Sequence, residues 1–199
     1  MISGRTRDAV SQAAFDRLRA EYRWVGALAR APASRVERTI HDVTFAPDKA
    51  RHVVSALRRI RRDYGVFHID FLHEKPLAEA LALLERLPGV GRKVSAATLN
   101  ASTLAMPVLI VDTHVLRVLR RLGAVGAHAD YRSASETMTE TLAGWSGSSF
   151  LLFHVALKRL GQIACRHARP RCDACLLSAA CPSARGTVSW AIGSPRRNA

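Results

Sequence analysis

Between Leu84 and Leu99 the chain reads LERLPGVGRKVSAATL, a Pro-Gly-Val-Gly turn set between two stretches of helical apolar spacing. Gly89 and Gly91, with Val90 between them, allow the backbone to come close to a ligand. The second helix opens near Arg92, so its unpaired N–H groups and the turn amides face outward together and make a seat for a phosphate. Contact of this kind holds a nucleic-acid backbone without reading its bases. An ordinary turn between two helices has the same outline, so by itself this stretch speaks for binding and not for chemistry.

The stretch is a helix-hairpin-helix signature, and Lys93 falls in the first turn of its second helix. There the positive end of the macrodipole disfavours a cation, but only by about 0.3–1 kcal/mol, far short of what an ammonium with a pKa near ~10.4 needs to lose its proton at neutral pH. A lysine acting here as a nucleophile must also be desolvated or stand among other cations, and Arg92 is one candidate neighbour.

Charge supports a polyanionic partner. The chain has 199 residues, with 30 Lys+Arg against 16 Asp+Glu, a formal net charge of +14. Only four of the basic residues are lysines, and arginine suits bidentate phosphate contacts. Hydrophobic residues make up 48%, enough for a packed core in one or two units. The most apolar long window, 94–111, is interrupted by Asn100, Ser102, Thr103 and Pro107 and fails as a membrane span, and the N-terminus lacks the apolar core of a secretory signal. A reducing, cytoplasmic location and no membrane partner are expected. In such a compartment thiols serve as metal ligands or catalytic groups more often than as disulfides.

Cys165, Cys172, Cys175 and Cys181 follow the pattern C-x6-C-x2-C-x5-C. Four thiolates hold either a tetrahedral zinc or a [4Fe-4S] cube, and one close pair flanked by wider gaps favours the cube. Arg166, Arg169 and Arg171 lie on the loop between the first two cysteines. A loop pinned at both ends by metal loses little entropy on meeting phosphate.

Elsewhere the periodicity is helical and the fold class is all-α. Helices are predicted over about Asp8–Tyr22, Ser34–Val43, Asp48–Tyr64, Pro76–Leu87, Arg92–Ala105, Thr113–Leu122, Ser133–Ala143 and Ser148–Ala164. Ser133 with Glu136 has the pattern of a capping box. The run Pro107–Val111 has a strand's composition but no partner, and reads as an extended linker into Asp112. Asp112 precedes an amphipathic helix and so has the structural work of an N-cap; a carboxylate aimed into a cleft would instead stabilise positive charge developing on a sugar ring. The expected organisation is a helical domain over 1–125 with the hairpin motif at about 79–105, a C-terminal helical and metal domain over 126–182, and a mobile basic tail over 183–199.

With LPGVGRK, VDTH and the cysteine pattern in this order, the chain resembles the endonuclease III branch of the helix-hairpin-helix DNA glycosylases, over nearly all of its length. The resemblance implies a six-helix-barrel domain plus an iron-sulfur domain, with DNA in the cleft between them and the four cysteines holding a [4Fe-4S] cluster. It implies a monomeric, bifunctional DNA glycosylase and AP lyase acting on double-stranded DNA with an oxidised pyrimidine or an abasic site. Lys93 would attack the sugar and Asp112 would assist it, while the hairpin residues Gly89, Val90, Gly91 and Arg92 and the loop arginines would contact DNA. Two departures stand out. ISGRTRD resembles the family segment whose glutamine enters the gap left by a flipped base, yet Arg5 stands there. The chain also begins at this motif, where family members carry earlier helices, so a shortened form or a start site placed too late is expected. A non-catalytic DNA-binding scaffold, and a zinc-bearing transcription factor, are the alternatives from other classes.

Overall fold

The computed structural model describes residues Met1–Gly186, and among these it is built of helices without strands. No helix among them is long and apolar enough to cross a membrane. The α-helices are α1 (Asp8–Glu21), α2 (Val25–Arg30), α3 (Ala33–Thr39), α4 (Ala46–Tyr64), α5 (Leu77–Glu85), α6 (Arg92–Asn100), α7 (Thr113–Arg121), α8 (Tyr131–Thr141) and α9 (Gly147–Ile163), with a 3-10 turn at Asp70–Glu74. Packing divides the chain inside α6, into Met1–Ser95 and the residues from Ala96, where the sequence had suggested a boundary near 125. Leu109 and Val111 explain the difference, for they belong to the same core as α7, α8 and α9.

In the first unit α1, α3 and α4 close over Ala14, Leu18, Val36, Ile40, Ala50 and Val54. The long helix α4 begins with Pro47 in its first turn, where a missing N–H costs nothing. It ends at Gly65, whose φ of 73° is the left-handed geometry that a C-terminal cap requires.

In the second unit α7 buries Val115, Leu116, Val118 and Leu119 on one face and turns Arg117, Arg120 and Arg121 the other way. The extended run before it is almost wholly buried at Val108, Leu109, Ile110 and Val111 without joining a sheet. Buried backbone must still find partners. Here side chains supply them: Leu109 N–H donates to Thr139 Oγ1 (3.0 Å), Ser135 Oγ donates to the Leu109 carbonyl (2.8 Å), and His154 Nδ1 lies 2.8 Å from the Ile110 carbonyl.

Helix α3 stops at Thr39 and not Val43, and two further helix ends depart from the sequence reading for reasons visible in the packing. Helix α6 stops at Asn100, not Ala105, because the Asn100 amide turns back to donate to the carbonyls of Met106 (2.9 Å) and Gly147 (2.7 Å), and Ala105 takes a left-handed φ of 44°. Helix α8 is capped by Asp130, not Ser133. Asp130 Oδ1 accepts from Ser133 N–H (2.8 Å), and Asp130 N–H donates to Ser133 Oγ (2.9 Å), so Ser133 is the closing residue of the capping box, third in the helix, and not its N-cap. Of the tail expected to be mobile, residues 187–199 lie outside the described residues, while Ser183 donates to the Arg121 carbonyl at 2.8 Å.

A Cβ at Gly147 would stand 1.9 Å from the Ala105 carbonyl oxygen. Gly147→Ala is therefore expected to destabilise the protein by about 1–3 kcal/mol, read as a lowered midpoint in urea unfolding.

Candidate nucleic-acid interface and cysteine site

Glu85, at the end of α5, and Arg92, at the start of α6, form an ion pair 2.5 Å long, with side chains 10% and 7% exposed. Ser95 Oγ donates to the same carboxylate oxygen at 3.1 Å. This closes the hairpin, and the Arg92 guanidinium, expected to contact DNA, is instead withdrawn from solvent and paired with Glu85. Gly89 has a φ of 73°, and a Cβ there would come within 2.6 Å of the His52 ring. A Cβ at Gly91 would meet nothing within 4 Å, which leaves that side of the turn open to a ligand. Val90 is half-buried.

Lys93 is exposed, so the desolvation expected of a nucleophilic lysine is not what the structure shows. Two cations act electrostatically with it, the N-terminal ammonium of Met1 and Lys49, on the first turn of α4. Burial first, and then the charge of Lys93, hold the Lys49 amine below its ordinary value. The Lys49 ammonium donates to the carbonyls of Ile2 (2.9 Å) and Gly4 (2.5 Å) and to Thr6 Oγ1 (3.1 Å). Arg5 lies within that segment, exposed, with its guanidinium 5.9 Å from the Phe45 ring centroid. Sequence reasoning passed over Lys49, because a lysine in the first turn of an amphipathic helix looks like any solvated charge.

In the second unit Asp112 is 7% exposed, and its Oδ1 accepts from the N–H groups of His114 (2.8 Å) and Val115 (2.9 Å). The capping reading thus holds. Nearby, Arg117 donates to the carbonyls of Cys165 (2.8 Å) and Gly161 (2.7 Å) and lies 3.1 Å from His114 Nδ1, so His114 has a structural partner. One turn further on, Arg121 reaches Cys165 Sγ (3.3 Å) and the carbonyls of Arg166 (2.7 Å) and His167 (2.9 Å). The sequence shows Arg117 and Arg121 four residues apart on the polar face of α7 but not what they grip.

Cys165, Cys172, Cys175 and Cys181 are free thiols that line one cavity of about 230 Å³, walled by Val118 and Leu160. Burial, followed by the proximity of Cys165, Cys181 and Cys175, pushes the Cys172 thiol up. Among the described residues no three His, Cys, Asp or Glu side chains converge on a single ion. All four thiols line this one cavity, a soft donor set of the kind that either a tetrahedral zinc or an iron-sulfur cube takes. Arg166, Arg169 and Arg171 are exposed on the intervening loop, which is also closed by Arg171 N–H donating to the Ala164 carbonyl (2.9 Å).

Residues 1–144 match the family model described as HhH-GPD superfamily base excision DNA repair protein. The chain is 29% identical over 191 residues to the endonuclease III-like protein 1 of Bos taurus, covering 94% of this chain and 57% of that protein. It thus spans less than two thirds of the bovine protein's length. It is 30% identical over 184 residues to the endonuclease III of Thermotoga maritima, covering 91% of this chain and 78% of that one. Among solved structures, a trapped endonuclease III–DNA covalent intermediate in an estranged-adenine complex shares the fold with a TM-score of 0.76 at 24% identity, over 94% of this chain and 81% of that one.

The two possible duties of Asp112 separate by substitution. Asp112→Asn keeps a capping oxygen and is expected to leave the melting temperature within a few degrees of wild type, whereas Asp112→Ala is expected to lose about 1 kcal/mol of stability. A structural role alone leaves strand nicking by the Asn variant intact; a chemical role abolishes it. Calorimetry and a nicking assay on the same preparations distinguish the two.

Proposed function

Because this chain belongs to the HhH-GPD superfamily of base excision DNA repair proteins, we propose that it is a bifunctional DNA glycosylase and AP lyase that removes oxidised pyrimidines from double-stranded DNA. The observation that carries the reading is Lys93: an exposed amine on the second residue of a helix whose hairpin is locked by the Glu85–Arg92 pair, directly behind the open Gly91 turn. On this reading the protein works as a monomer on cytoplasmic DNA.

The turn amides would hold the strand by its phosphates while the damaged nucleotide swings out of the stack. Once deprotonated, the Lys93 amine forms a bond to C1′ as the bond from C1′ to the base breaks, and the base leaves with the electron pair and takes up a proton. The bond from C1′ to the ring oxygen then opens, the oxygen is protonated, and a Schiff base remains between Lys93 Nζ and C1′. Loss of a proton from C2′ expels the 3′ phosphate by β-elimination. Water finally hydrolyses the imine and frees the lysine. Asp112 would stabilise the positive charge that develops on the sugar. Cys165, Cys172, Cys175 and Cys181 would hold a [4Fe-4S] cluster, which when bound supplies thiolate–iron bonds that fix the Arg166–Arg171 loop. Arg166, Arg169 and Arg171 would add phosphate contacts, each adding to the salt dependence of binding.

Incubation with a duplex carrying an abasic site, followed by borohydride, is expected to give a covalent adduct that Lys93→Ala abolishes. A band shift without an adduct would falsify the catalytic reading and leave a DNA-binding scaffold. Purified without added metal, the protein is expected to be brown and to contain iron; a colourless zinc protein overturns the cluster assignment while leaving the lysine chemistry untouched.

A further inference from the structure

Arg5 has a φ of 56°, in the left-handed region that costs any side chain other than glycine. Such a conformation persists only where its surroundings over-determine it. The acceptors of the Lys49 ammonium, Ile2 and Gly4 on one side of Arg5 and Thr6 on the other, bracket the strained residue. An ammonium has three N–H donors, and all three are used on this segment. Thr6 Oγ1 also accepts from Thr44 N–H at 3.2 Å, which ties the segment to the turn before α4. That turn ends at Phe45, itself left-handed with a φ of 59°, and the Phe45 ring lies under the Arg5 guanidinium.

We propose that Lys49 is a positioning residue that holds the 2–6 segment in its strained turn and so presents the Arg5 guanidinium to the space vacated by an extruded nucleotide. The proposal rests on the glycosylase reading above, and adds to it the group that fixes the gap-filling side chain. Flexible arginine is a poor wedge unless its backbone is fixed, because ordering it at the moment of base extrusion would use up binding free energy. With the backbone held beforehand, its planar fork of donors can meet the base left opposite the lesion.

The test compares full-length wild type, Lys49→Met, Lys49→Arg, Arg5→Ala and the Lys49→Met/Arg5→Ala double variant. Limited trypsin digestion reads the segment itself, through cleavage after Arg5 and Arg7. Freed of its anchor, the segment in Lys49→Met is expected to be cut on the order of tenfold faster than in wild type. Base excision from duplexes with each of the four opposite bases is expected to fall and to lose its preference in Lys49→Met. Arg5→Ala should do the same, the double variant should be no worse than either single one, and Lys49→Arg should recover the preference in part. Unchanged trypsin kinetics, an unchanged opposite-base profile, or losses that multiply in the double variant overturn the proposal. If wild type forms no borohydride adduct, the lyase reading fails separately, and the digestion still decides whether Lys49 anchors Arg5.

Discussion

A buried carboxylate and a buried guanidinium hold the hairpin shut. Glu85 and Arg92 sit at facing ends of α5 and α6, and neither side chain has solvent to fall back on. Removing one partner of such a pair leaves the other charged and unpaired, at a cost of about 3–5 kcal/mol. The geometry of the hairpin follows from this closure. It sets the path of Pro88–Gly91, leaves Gly91 open on one side, and places Lys93 one residue beyond the strut. Two neighbouring basic residues divide the labour, Arg92 inward and Lys93 outward.

The second unit solves a different problem, the burial of an extended segment without a sheet. Thr139 and Ser135 from α8 and His154 from α9 take up the polar groups of Leu109 and Ile110. Those bonds fix the approach to Asp112, and the Asp112 carboxylate in turn fixes the first turn of α7. From the polar face of α7, Arg117 and Arg121 fasten the cysteine loop through the carbonyls of Cys165, Arg166 and His167. The stiffness expected of that loop from metal binding thus has a second source in the protein itself.

Much of this is written in local patterns. The Pro-Gly-Val-Gly turn, the apolar spacing of α4 with its terminal Gly65, the cap at Asp112 and the cysteine spacing all depend on residues within a few positions of one another. Helix α2 escaped because six residues give too short a period to stand out. It is completed by tertiary contact, with the Trp24 ring lying so close that Gly26 has no room for a Cβ. The end of α6 was misread for the same reason: Asn100 terminates it through Gly147, far along the chain. The anchoring of residues 2–6 by Lys49 and the clamping of the cysteine loop by Arg121 join positions more than forty residues apart. Periodicity carries no trace of such pairings, which exist only once the helices have packed.

Helix α7 carries Asp112 at its entrance and Arg121 as its last residue, both in use at once. An α-helix turns about 100° and climbs about 1.5 Å with each residue. Inserting or deleting a single residue between them would put the two ends out of phase, so that seating the arginine would swing the carboxylate a quarter-turn away. Substitutions on this helix can be absorbed one at a time, but its length cannot drift, and natural insertions in such a chain must accumulate elsewhere.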